Sequence, residues 1–111
     1  MGDHYQVTVT APNQDEALRL SRMAVERRLA ACGQVSGPIT STFWWQGGME
    51  SVPEWSCTFK TTGERVGPLM DAVRAEHSYD VPEIIAFRIE SGDPDYLAWL
   101  DSEARSRAPG S

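Results

Sequence analysis

The sequence is poor in the residues that build metal clusters and redox centres, with two cysteines and two histidines in 111 residues. Cys32 and Cys57 stand far apart without a C-x-x-C spacing, which excludes a zinc ribbon or a thioredoxin-type motif and leaves two buried structural thiols as the expectation. Basic residues are also scarce: ten Lys and Arg, scattered along the chain, face sixteen Asp and Glu for a formal charge of −6. That balance excludes an electrostatic footprint for nucleic acid or an anionic membrane, so neither is expected as a partner. No run of about 18 apolar residues exists to span a bilayer. The first twenty residues carry Asp3, His4, Asn13, Asp15 and Glu16 in place of the apolar stretch of a signal peptide, and the expected compartment is the cytoplasm. The G-x-S-x-G, P-loop, H-E-x-x-H and Rossmann glycine patterns are missing, and no nucleophile stands with an evident base, so no enzyme is expected.

What is there is one domain's worth of alternating strand and helix signals. Tyr5 to Thr10 alternates and is rich in β-branched and aromatic residues, a first strand that Pro12 ends. Asn13, with Glu16 three residues on, resembles a capping box. Ala17, Leu20, Ala24 and Leu18, Val25, Leu29 then repeat at helical spacing, predicting a helix over 14–31. Gly33, Gly37 and Pro38 read as a break, Ile39 to Gln46 as a second strand, and Gly47-Gly48 as a hairpin turn. From Glu54 to Thr61, Trp55, Cys57 and Phe59 alternate with Ser56, Thr58 and Lys60, the pattern of a half-buried third strand. Thr62 is the expected cap of a second helix whose apolar face is Val66, Leu69, Met70 and Val73 and which ends near His77. Ile84 to Ile89 predicts a fourth strand, and Asp93-Pro94 opens a short helix through Trp99 and Leu100. The order is β-α-β-β-α-β plus a terminal helix, an α+β ferredoxin-like sandwich over residues 1–104, with 105–111 expected to be a mobile C-terminal tail.

Chemistry-bearing residues are few. Trp44 and Trp45 are neighbours in a strand and must point to opposite faces, so both cannot enter one core. The exposed one is expected to be an oligomer contact, with a ligand-stacking platform or an ordinary surface aromatic as alternatives. The segment His77-Ser78-Tyr79-Asp80-Val81-Pro82-Glu83 gathers four functional side chains in one helix-to-strand loop. Near a helix C-terminus His77 reads either as an imidazolium paired with the dipole or as a neutral metal ligand, whose partners would be Glu54, Glu83, Asp80 or a neighbouring subunit. His4, at the start, is expected to be solvated. Lys60 is expected to pair with Glu83 or to meet an anionic group.

The combination of Thr10-Ala11-Pro12, Leu29-Ala30-Ala31-Cys32, Trp44-Trp45-Gln46-Gly47, Lys60-Thr61-Thr62, the His77 to Glu83 loop and Gly92-Asp93 with Tyr96-Leu97-Ala98-Trp99-Leu100 resembles the CutA family of divalent-cation tolerance proteins over residues 5 to 102. The resemblance implies a homotrimer of ferredoxin-like subunits built like the PII signalling proteins, with the hairpin of strands two and three packed on its neighbours. It implies a role in the response to copper or other divalent ions. Positions matching the family's proposed copper ligands are Val9, Glu54 and His77, so the expected metal residues are His77 and Glu54, without the family's cysteine at Val9. No cofactor is implied as required; Cu(II) or another divalent metal is the expected ligand. Ser78 stands where the family usually has proline, which is expected to loosen the hold on His77. The alternative implied by PII likeness is a sensor or scaffold binding a small molecule or partner protein in an inter-subunit cleft lined by Trp45, Lys60, Tyr79, Glu83 and Trp99.

Overall fold

The computed structural model describes residues 3–105; the greater part of the expected mobile tail, 106–111, lies outside the described residues. The elements follow in the order β1 (His4–Ala11), α1 (Gln14–Glu26), β2 (Cys32–Trp45), β3 (Gly48–Thr62), α2 (Val66–Glu76), β4 (Ile84–Ile89) and α3 (Pro94–Glu103). The strands form one antiparallel sheet in the order β2-β3-β1-β4, the ferredoxin-like arrangement. Alternation decides its faces: Val7, Val9, Cys57 and Phe59 turn to one side and are sealed by Leu20, Ala24, Leu69 and Val73 of α1 and α2.

Helix α1 begins as its sequence dictates, with the Asn13 side chain accepting from the Glu16 amide at 2.8 Å. It ends five residues earlier than its apolar periodicity implies. Arg28 takes a positive φ of 60° and turns the chain, so that Leu29 and Ala30 are buried from a turn and not from a helix. The Leu29 and Ala30 amides close back on the Ala24 carbonyl, and Arg65 binds the Arg28 carbonyl at 3.2 Å. Periodicity registers which residues are buried, and here a turn delivers Leu29 to the place a helix would have.

The two middle strands are longer than their composition suggests. Gly37 and Pro38 do not end β2; they form a bulge, since Ser36 pairs with Ser56 and Ile39 with Glu54, which sets one extra residue on β2. Gly37 is required there: its φ is +152°, and a Cβ would lie 2.9 Å from the Trp55 ring. Pro53 interrupts nothing because β1 pairs with β3 only from Trp55 onward, leaving residues 48–54 bonded to β2 alone. The result is a two-stranded arm that projects from the body and gives the molecule a long axis of 49 Å. The Cα radius of gyration is 14.9 Å, against about 13 Å for a compact domain of this length.

Helix α3 starts at the predicted cap, Asp93 accepting from the Tyr96 amide at 3.0 Å. It packs across the end of the sheet, where Ala31, Leu100 and Ala104 make a second small core. His4 is part of this end: it is buried, and its Nε2 lies 2.9 Å from Asp101 Oδ1, so the expectation of a solvated side chain is corrected by a contact 97 residues away in sequence.

Candidate functional site

The loop after α2 is held by a corner of polar groups drawn from four elements, α1, β1, β3 and the end of α2. His77, the residue that ends α2, is buried, with its side chain fully sealed from solvent. Its Nε2 lies 2.7 Å from the Thr10 carbonyl of β1, and its Nδ1 lies 3.0 Å from the Tyr79 amide. A backbone amide only donates and a carbonyl only accepts, so Nδ1 is the acceptor and Nε2 carries the proton that goes to Thr10. The ring of Tyr79 sits 4.9 Å from that of His77, tilted by 44°, and the Tyr79 hydroxyl donates to Glu54 Oε2 at 2.8 Å. Partial burial, then the Glu54 carboxylate that accepts from it, push the Tyr79 phenol up to about 12.

Glu16 completes the corner and has no signal in the sequence beyond its place in the capping pattern. Its side chain does not reach back to Asn13. It is buried, accepts from the Ser78 amide at 3.0 Å, and lies 3.5 Å from His77 Nδ1. Ser78 therefore tethers the loop through an N–H that proline would lack, the opposite of the looseness expected at this position. The ring of His77 is likewise turned onto β1 and is not an exposed imidazolium at the helix end.

Within the chain His77 has no free lone pair, because Nδ1 is occupied by Tyr79 and Nε2 is protonated toward Thr10. Val9 is a buried core residue, and Glu54 is engaged by Tyr79. Among the described residues no three His, Cys, Asp or Glu side chains are grouped to hold an ion. The expected pair His77 and Glu54 is brought to one corner, joined through Tyr79, but as arranged it does not fit a metal.

The expected cleft residues are spread over the molecule. Trp45 is exposed near the arm's turn, Tyr79 belongs to the His77 corner, Glu83 is exposed just before β4, and Trp99 is exposed on α3. Lys60 pairs with Gln6 and Cys32 in the sheet and donates to Gln34 Oε1 at 2.9 Å. The predicted Lys60–Glu83 salt bridge is absent within the described residues of the chain: Lys60 is six residues from Glu54 along β3, roughly 20 Å, at the other end of the sheet from the corner. Near Lys60, Tyr96 stacks on Trp99 with ring centroids 5.6 Å apart, and its hydroxyl lies 3.7 Å from Cys32 Sγ. Burial, then Cys32, raise the Tyr96 phenol above its ordinary range. Cys32 is thus half-exposed, and only Cys57 meets the expectation of a buried thiol.

A family model, CutA1 divalent ion tolerance protein, matches residues 5–103. The chain is 40% identical over 98 residues to the divalent-cation tolerance protein CutA of Archaeoglobus fulgidus, covering 88% of this chain and 95% of that protein. It is 37% identical over 99 residues to the chloroplastic protein CutA 1 of Oryza sativa, of which it spans 56%. Among solved structures, CutA1 from Oryza sativa superposes with a TM-score of 0.91 at 35% identity, covering 96% of this chain and 97% of that one. CutA from Xylella fastidiosa superposes with a TM-score of 0.90 at 35% identity, covering 93% and 99%.

Proposed function

The chain belongs to the CutA1 divalent ion tolerance protein family, and from that premise we propose that it serves divalent-cation tolerance as a homotrimer whose inter-subunit cleft binds a small molecule or a partner protein, as a sensor or scaffold. The observation that carries this reading is the contrast between a sealed His77, both of whose ring nitrogens are spent, and the exposed side chains of Trp45, Glu83 and Trp99 with the half-buried Lys60. In one chain Lys60 and Trp99 lie toward one end of the sheet, with Trp45 and Glu83 away from them, so assembly is what would gather all four into one cleft. Lys60 uses one of its three N–H groups on Gln34 and keeps the others for an anionic ligand. The reading assigns no catalytic step, in keeping with a family named for tolerance.

Direct capture of copper or another divalent ion on His77 and Glu54 is the competing reading, and one titration separates them. Native mass spectrometry of the full chain is expected to give a trimer that takes up Cu(II) only as weak adducts, equally in the His77→Ala variant. A panel of small anionic metabolites is expected to contain one that raises the melting temperature, by about 2.7 kcal/mol of stabilisation at a hundredfold excess over Kd, and to lose that effect in Lys60→Ala. Saturation at one Cu(II) per subunit, abolished by His77→Ala, would reverse the assignment. Relatives bear chloroplastic and periplasmic designations, so the cytoplasmic compartment is likewise a proposal, which cell fractionation tests.

A further inference from the structure

We infer that His77 is a positioning residue, a buried strut that fixes Tyr79 against Glu54, and that divalent cations do not bind this protein through its imidazole. Both ring nitrogens have partners whose roles are chemically fixed, the Tyr79 amide at 3.0 Å and the Thr10 carbonyl at 2.7 Å. The other neutral tautomer would set an Nδ1–H against an amide N–H and the Nε2 lone pair against a carbonyl oxygen. The Glu16 oxygen does not rescue it, because at 3.5 Å it lies beyond a good hydrogen bond and already accepts from Ser78. A cation would have to displace one of these bonds, strand a buried amide or carbonyl, and reach a ring with 0% side-chain exposure.

What the strut accomplishes is visible in the neighbouring contacts. The bond from the residue-79 amide to a side-chain acceptor on residue 77 has the i to i+2 form of an Asx turn, with imidazole in the place of an asparagine oxygen. Together with the Ser78–Glu16 bond it sets the loop's direction as it leaves α2, and so places the Tyr79 hydroxyl on Glu54 of the arm's base. His77 thus ties α2 to β1 on one side and, through Tyr79, to β3 on the other. The inference concerns the subunit alone and stands whether or not the cleft reading holds.

The chain has only two histidines and three tyrosines, which makes selective labelling with 15N-histidine and 15N-tyrosine direct. The expected spectrum of the intact protein shows His77 protonated on Nε2, with a coupling across the Tyr79 N–H to Nδ1. On addition of one equivalent of Cu(II) per subunit the His77 ring signals stay unbroadened. His77→Asn, which can keep the turn but has no imidazole, is expected to bind Cu(II) as the parent protein does and to retain the Tyr79 amide signal that His77→Ala loses. The inference is overturned if the proton is found on Nδ1, if Cu(II) bleaches the His77 ring first, or if His77→Asn weakens Cu(II) binding by more than about tenfold. Should His77→Ala fail to fold, the tautomer and bleaching measurements on the parent protein decide alone.

Discussion

Cys57 lies in the middle of β3 with no exposure, among Val7, Val9 and Phe59. Burial pushes its thiol up from 9.0 to about 12, with a hydrogen bond from Ser21 opposing the shift. The folded state therefore holds its proton where the unfolded chain has released it. Stability from this source is fully present below pH 9 and is lost as pH rises from 9 towards 12, by at most about 1.4 kcal/mol per pH unit. Melting temperatures measured between pH 8 and pH 11 should fall more steeply for the parent protein than for Cys57→Ala, even though the variant starts lower for its lost packing. Parallel slopes would remove Cys57 from the account. At this scale the sequence was legible wherever burial follows alternation, as at Cys57 and Phe59, and illegible wherever a contact spans the fold. Nothing in the order of residues announces that Glu16 reaches Ser78, that His4 finds Asp101, or that Lys60 chooses Gln34 over Glu83.

The arm of β2 and β3 depends on one irregular step. At Gly37 the chain adopts a φ that L side chains rarely take, and the Trp55 ring and the Glu54 carbonyl fill the space where a Cβ would go, at 2.9 and 3.2 Å. Gly37→Ala should therefore destabilise the protein by about 1–3 kcal/mol, through backbone strain and overpacking together. Denaturant midpoints measure the loss, and Gly47→Ala is the useful control. Gly47 also has a positive φ, of 82°, but has open space around it, so strain acts there without a clash and the loss should be smaller. Equal losses would show that packing against Trp55 contributes nothing. Read as isolated symbols, Gly37 and Pro38 look like the end of an element; only the pairing partner on β3 reveals a bulge that keeps the strand going. The same limit applies to the end of α1: Arg28 is not a residue that announces a left-handed turn, and the Arg65 and Glu103 groups that hold it come from distant parts of the chain.

For the molecule as a whole the decisive feature is what a single chain leaves uncovered. Beyond the reach of β1 the arm is a two-stranded ribbon, a form of marginal stability in water on its own. Its cross-strand pair Trp44 and Met49 is 74% and 67% exposed, and Phe87, on the face of the sheet turned away from α1 and α2, is 53% exposed. Large apolar side chains left open at the arm tip and on the sheet face are the kind of surface that marks an interaction site, and copies of the same chain, closed by threefold symmetry, are the partners we propose for them. None of these side chains belongs to either core cluster, so a polar replacement tests assembly without disturbing the fold. If neighbours cover the arm, Trp44→Ser should forfeit about 2 kcal/mol per subunit, and the overall association constant of a trimer should fall by roughly four orders of magnitude. Light scattering across a dilution series would then show subunits appearing at concentrations where the parent protein stays assembled, with far-ultraviolet circular dichroism unchanged. A variant that remains as associated as its parent would mean that the arm's aromatic tip faces solvent in the assembly. In that case the open sheet face with Ile85 and Phe87 must carry the contact, and Phe87→Ser becomes the substitution that dissociates it.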